Sequence, residues 1–153
     1  MRVWRICKQK HAAAAFSGEG ARLFSGRWNQ AGVRMVYCST SLALAALEFF
    51  VHLDPDVAPE DLVSTMAEIP EGQVKVEHLE EALLPRDWRS LEHPRLQAIG
   101  AEWATSLRSI ALVVPSAVID GECNVLLNPA HPEFSRIALS AAKPFVYDAR
   151  MFR

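Results

Sequence analysis

Long apolar runs, paired cysteines and a strong charge of either sign are all missing from this sequence. The longest apolar stretch, Leu42 to Val51, is interrupted by Glu48 and falls well short of the roughly 20 residues that a bilayer-spanning helix needs. Met1 to Lys10 alternates polar and apolar positions, so no signal peptide is expected. Cys7, Cys38 and Cys123 are odd in number and far apart. They make no disulfide framework and fit a reducing, cytoplasmic setting. There is no CxxC pair and no HExxH, so no metal site is expected. Neither GxGxxG nor a P-loop occurs, which removes the Rossmann and Walker nucleotide sites. The formal net charge is -2 and the sequence pI near 6.2. That balance leaves no electrostatic footprint for direct nucleic-acid binding or for an anionic membrane surface.

What is present is an ordinary globular composition, 50% apolar and 22% charged over 153 residues, enough chain for one core without staples. A single domain over residues 1–153 is the natural division. Val3 to Cys7 reads as a strand and His11 to Phe16 as a weak helical turn. Ser17 to Gly32 carries four of the seven glycines and reads as loop. Val33 to Ser39 is strand-like, with Val33, Met35 and Tyr37 sharing one face. Ser41 is placed to cap a helix from Leu42 to about Leu53, stopped by Pro55. Leu62 to Ile69 and Gln73 to His78 read as two strands around a turn at Pro70 to Gly72. A second helix is expected over Pro94 to Arg108, where Leu96, Ile99, Trp103 and Leu107 recur at helical spacing. Strands follow at Ile110 to Val114, Cys123 to Leu127 and Phe145 to Asp148. Without regular βαβ alternation, these elements predict a compact α+β domain with mixed or antiparallel sheet and flanking helices.

Glu48 is the first chemical candidate, the one acidic residue in "SLALAALEFFVHL". Two readings stand. It either works in a site, since an unpaired carboxylate is costly to bury, or it shares a solvated stripe with Ser41, Ala45 and His52. Arg27 lies between Gly26 and Trp28 in a turn, where a guanidinium fork can meet a phosphate or carboxylate, or simply form a surface ion pair. Tyr37 offers a flat apolar face and a hydroxyl. Ser116 follows the "IALVV" strand and suits either a turn cap or a ligand contact. Asn128 and Pro129 form a turn pair that needs no ligand. The five histidines are scattered, and a Cys38–His52 nucleophile pair has no motif behind it. The four tryptophans read as core or rim.

Taken in order, "RLFSGRWNQAGVRMVYCSTSLALAALEFFVHL", "VVPSAV" and "NVLLNPAHPEF" resemble the RES domain family over essentially the whole chain. The resemblance implies a fold similar to ADP-ribosyltransferases and the toxin role in a bacterial type II toxin–antitoxin pair. It implies NAD as substrate, consumed by hydrolysis or, with inorganic phosphate as co-substrate, by phosphorolysis. Transfer of ADP-ribose to a protein and a non-catalytic binding module are the alternatives. The implied partner is an Xre-like helix-turn-helix antitoxin. Matched to the family motif, the arginine is Arg27, the tyrosine Tyr37, the glutamate Glu48 and the serine Ser116, with Asn128 lining the same cleft. Arg5 resembles a further arginine of the NAD site.

Overall fold

A computed structural model describes residues 1–54 and 56–152. Eight strands and three α-helices are formed in the order β1 (Arg2–Lys8), α1 (Glu19–Leu23), β2 (Val36–Ser39), α2 (Leu42–Phe50), β3 (Leu62–Glu68), β4 (Val76–His78), α3 (Pro94–Ser106), β5 (Ala111–Pro115), β6 (Cys123–Leu127), β7 (Ala138–Leu139) and β8 (Lys143–Phe145). The strands make one sheet in the order β4-β5-β6-β2-β1-β3-β7, with β8 also on β3. Every pairing is antiparallel except β4 with β5. This is the α+β architecture that the sequence predicts.

The register sorts side chains onto two faces, because successive residues of a strand alternate. Trp4 stands opposite Ser39, Ser39 opposite Asn124, and Asn124 opposite Val114. Tyr37 stands opposite Leu126, and Leu126 opposite Leu112. All lie on one face, and both longer helices cover it. Toward the β1 end, Ala45, Ala46 and Phe49 of α2 pack with Trp4 and Ile6. Toward the β5 end, Leu96, Trp103 and Ala104 of α3 pack with Leu112, Val114 and Leu126. The opposite face gathers Val3, Cys7, Val36, Cys38, Val125 and Leu127 into a second core. The two helices leave a strip of the first face between them uncovered by apolar packing.

The sheet is weakest in its middle. β1 and β3 pair over seven residues, whereas β1 and β2 meet at the single pair Trp4–Ser39. Beyond it the two strands diverge and a gap opens.

Local chemistry accounts for the helix ends. The Ser41 side chain accepts from the Leu44 N–H at 3.0 Å and starts α2. The helix ends at Phe50; Pro55, expected as its stop, lies outside the described residues. His93 caps α3, Pro94 occupies its first turn and Leu107, left-handed at φ 52°, follows its end. Gly100 of α3 is required by packing: a Cβ there would stand 1.8 Å from the Trp28 carbonyl oxygen.

Several elements depart from the sequence reading. β4 does not fold back on β3 around Pro70 to Gly72; it crosses to the far edge and runs parallel to β5. The strand expected from Val33 begins only at Val36. The stretch before it contains a short helix, α1, between glycine turns. The expected last strand over Phe145 to Asp148 is displaced to Lys143–Phe145, and Asp148 instead caps a single helical turn by accepting from the Arg150 N–H. Pro144 is tolerated in β8 because that strand lies on the sheet edge.

Candidate functional site

The strip between the helices is a cleft, and Glu48 lies at its centre. The carboxylate projects from α2 toward the ends of β5 and β6, where Ser116 Oγ donates to its Oε1 at 2.6 Å. Asn124 Nδ2 donates to the same oxygen. Ser116 is itself fixed, since its hydroxyl accepts from the Val118 and Ile119 N–H groups at 3.1 and 3.0 Å. The solvated-stripe reading of this helix face holds only at His52, which is exposed; Ala45 is buried and Glu48 is half-buried with two donors on its carboxylate.

The opening on the Arg27 side holds about 780 Å³, a volume suited to a small organic ligand. Its walls include Arg27, Trp28, Tyr37, Glu48 and Asn124. A second depression of about 510 Å³ continues past Glu48 toward Arg5, Lys8, Lys10 and His11. A third lies behind Tyr37, between Arg5 and the Gly18 to Gly26 loop. Tyr37 lines all three hollows.

Arg27 is held by one nitrogen. Its Nη1 donates to the Trp88 and Ser90 carbonyls at 3.0 and 2.9 Å, and the rest of the guanidinium fork meets no acceptor among the described residues. Burial lowers its pKa from the ordinary arginine value, while the charge of Glu48 and the Tyr37 ring raise it. The ion-pair alternative for Arg27 is not what the structure forms: its partners are neutral carbonyls.

Tyr37 commits its hydroxyl to the preceding turn. The O–H donates to Asn29 Oδ1 at 2.7 Å and accepts from the Trp28 N–H at 3.0 Å. Burial pushes its phenol well above the ordinary value, opposed by the Trp28 N–H and by Arg27. Gly26 makes this approach feasible, because a Cβ there would stand 2.9 Å from both the Tyr37 hydroxyl and Asn29 Oδ1. Asn29 completes the turn by donating to the Ala21 and Phe24 carbonyls at 2.8 and 3.0 Å. The turn that carries Arg27 is thus tied to the Tyr37 hydroxyl through Trp28 and Asn29.

Arg5 enters the gap between β1 and β2. Continuing the Trp4–Ser39 register would set Ile6 opposite Tyr37, but the Tyr37 carbonyl instead accepts from Arg5 Nη1 at 2.8 Å. A side chain replaces a missing ladder bond. Arg5 Nε is buried and meets no acceptor among the described residues.

Asn128 does not reach this cleft. It is fully buried; its Nδ2 donates to the Ala104 carbonyl at 2.8 Å and its Oδ1 accepts from the Ala130 N–H at 3.1 Å. Its position beyond the end of β6 places it under α3, where it fastens the helix to the following turn. Asn124, four residues earlier and on the same strand face, occupies the cleft instead. Sequence reading missed Asn124 and Asn29 and placed His52 only on a helix stripe with Glu48 or beside Cys38; the available signal for Asn124 was that it and Ser39 are polar where the flanking strands are otherwise apolar.

The geometry defines a class first: a small α+β domain with a carboxylate-centred ligand cleft in a split sheet. Residues 2–148 match the sequence model of the RES domain. The chain belongs to the RES domain family. It is 36% identical over 155 residues to "Toxin Res" of Photorhabdus laumondii, covering 100% of this chain and 98% of that protein. It is 37% identical over 154 residues to "Prs ADP-ribosylating toxin" of a Sphingobium species, covering 98% and 96%. A chain in the crystal structure of the M. tuberculosis MbcT–MbcA toxin–antitoxin complex superposes with a TM-score of 0.68 at 16% identity, covering 95% of this chain and 84% of that one. At that identity the likeness is one of fold. Among the described residues no helix is long and apolar enough to cross a membrane.

Proposed function

We propose that this protein is the toxin of a toxin–antitoxin pair and that it consumes NAD by breaking the bond between nicotinamide and ribose. The observation that carries the proposal is the Glu48 carboxylate, fixed through one oxygen by Ser116 and Asn124 at the centre of a cleft that Arg27 and Tyr37 also line. Bond cleavage leaves the electron pair on the nicotinamide nitrogen and builds positive charge on the ribose. A preorganised carboxylate stabilises that charge without reorganising in the transition state. Ser116 and Asn124 both donate to Oε1, and Oε2, which meets no donor among the described residues, would accept from a ribose hydroxyl. Arg27 supplies a cation for the pyrophosphate, and Arg5 a second one from the seam of the sheet. The Tyr37 ring orients the leaving nicotinamide, its hydroxyl already engaged by the turn. Nicotinamide departs from a pyridinium as a neutral ring, so no strong acid is needed at the leaving group.

Two relatives named as Res toxin and ADP-ribosylating toxin support this reading across nearly the full chain. The M. tuberculosis complex supports an antitoxin partner, which in this reading is an Xre-like helix-turn-helix protein. Residues 1–153 act together as the toxin domain, in the cytoplasm where NAD is available.

The Sphingobium relative, an ADP-ribosylating toxin by name, gives transfer of ADP-ribose to a protein a specific claim as the second reading. Water, phosphate and a protein side chain attack the same cationic ribose, so one experiment separates them. Purified protein is incubated with NAD, with and without phosphate and with a bacterial protein extract, while free nicotinamide and protein mass are followed. Nicotinamide release that is lost in Glu48→Gln establishes the reaction. Dependence on phosphate assigns phosphorolysis, and an added ADP-ribose mass on an extract protein assigns transfer. Absence of nicotinamide release under all three conditions overturns the proposal.

A further inference from the structure

The Glu48 clamp reaches further than the two groups that touch it. Asn124 Nδ2 donates to Glu48 Oε1, and its other amide atom, Oδ1, accepts from Ser39 Oγ at 2.7 Å. Ser39 and Asn124 are direct cross-strand neighbours of β2 and β6, and Ser39 is buried. An asparagine amide presents a donor on one side and an acceptor on the other. Turned over, Asn124 would set its carbonyl oxygen against a carboxylate. The carboxylate selects the NH2 side of the amide, and the Ser39 hydroxyl, donating to Oδ1 from the other side, braces the amide in that orientation.

Ser116 provides the parallel restraint. Two backbone N–H groups hold its oxygen, so its proton is directed to Glu48. The two arms approach one carboxylate oxygen from different strands, β6 for Asn124 and the end of β5 for Ser116. A carboxylate restrained in this way is aimed as well as held, and Oε2 receives no donor among the described residues.

We infer that Ser39 and Asn124 are positioning residues for Glu48: Ser39 sets the amide of Asn124, and Asn124 with Ser116 orients the carboxylate toward the ribose. The inference rests on the proposed NAD cleavage for its kinetic consequence, while the relay itself is a statement about hydrogen bonds. Ser39 acts through Asn124, so its effect vanishes when Asn124 is gone. Misaiming a catalytic group by a fraction of an ångström lowers turnover more than ground-state binding.

The test compares Ser39→Ala, Ser39→Thr, Asn124→Ala and the double variant Ser39→Ala/Asn124→Ala as purified chains, with folding checked by thermal unfolding. Asn124→Ala and Ser39→Ala are each expected to lower kcat for nicotinamide release by roughly ten- to a hundredfold, with KM for NAD changed by less than about threefold. The double variant should be no slower than Asn124→Ala, and Ser39→Thr, which keeps the hydroxyl, should recover most of the Ser39→Ala loss. Multiplying effects in the double variant, or losses confined to KM, overturn the relay. A second readout is independent of turnover: the Asn124 side-chain NH2 signals in a 15N spectrum should shift in both Ser39→Ala and Glu48→Gln. If the wild-type chain releases no nicotinamide, the parent reaction fails while these signals still judge the relay. Signals unchanged in both variants overturn it.

Discussion

Ser116 Oγ donates its one proton to Glu48 Oε1 at 2.6 Å while accepting two backbone N–H groups from Val118 and Ile119. A hydroxyl has one donor and two acceptor sites, so this one is used completely. The same atom therefore stabilises the turn after β5 and orients the carboxylate.

Replacing Ser116 with alanine should separate those roles by magnitude. Losing an accepting oxygen that satisfies turn N–H groups costs about 1–2 kcal/mol, to be read from denaturant unfolding. Losing the donor to Glu48 should lower nicotinamide release by roughly ten- to a hundredfold, read at a denaturant-free temperature where the variant stays folded. Unchanged turnover in a folded Ser116→Ala protein would remove Ser116 from the site.

Gly100→Ala should damage the molecule from a distance. The added methyl would stand 1.8 Å from the Trp28 carbonyl oxygen, a backbone atom with nowhere simple to move. Relief requires α3 or the Arg27 turn to shift, and strain of this kind in a packed core is worth about 1–3 kcal/mol or more. The expected outcome is a lowered thermal midpoint together with a raised KM for NAD, since Trp28 adjoins Arg27. A midpoint equal to that of the unaltered protein would contradict the packing of α3 on this turn.

The two tyrosines predict an alkaline limit to stability. Burial raises the Tyr37 phenol strongly from its ordinary 10.0 and pushes Tyr147 up to about 12. The unfolded chain gives up both protons near pH 10, while the folded chain keeps them. The contribution of these phenols is therefore fully present below pH 10 and falls as pH rises through the folded values. The sequence contains two tyrosines and four tryptophans, so the rise in absorbance at 295 nm on alkaline titration, corrected for the tryptophan background, reports the ionisation of Tyr37 and Tyr147. Tyrosinate should stay low at pH 10.5 to 11 and rise together with the loss of near-ultraviolet circular dichroism. Ionisation near pH 10 with the fold intact would contradict the burial of these rings.

Much of this was legible in the residues. The Ser41 cap and the apolar run behind it mark the start of α2 within the chain, and β6 falls on Cys123–Leu127 as its pattern predicts. These elements are specified by local chemistry. The partner of β4 was not, because a Pro-Glu-Gly turn favours a hairpin locally while the pairing with β5 is decided by long-range packing. The shortened β2 has a similar cause. Arg34 turns away to an ion pair with Glu19 and a bond to the Ser17 carbonyl, fastening the segment before Val36 to α1 rather than to a neighbouring strand.

The candidate site was legible in Arg27, Tyr37, Glu48 and Ser116 and not in its asparagines. Glu48 and Arg27 are conspicuous in their sequence surroundings, and the structure brings them with Tyr37 to one cleft. Asn124 and Asn128 cannot be separated by type or by strand face. Only the third dimension shows that one lies beside the carboxylate and the other beneath α3. His52 was visible as a neighbour of Glu48 at helical spacing, but which way that stripe faced was not.

The single pair Trp4–Ser39 that joins β1 to β2 has a mechanical meaning. It is a suture between two half-sheets, and the ligand hollows straddle it: Arg5 belongs to one half, Tyr37 and Asn124 to the other. Ser39 sits on the suture itself and is also the residue that aims Asn124. The helix that carries Glu48 packs on both β1 and β2, so the carboxylate, the residue that braces its amide partner and the stitch between the half-sheets belong to one packed unit.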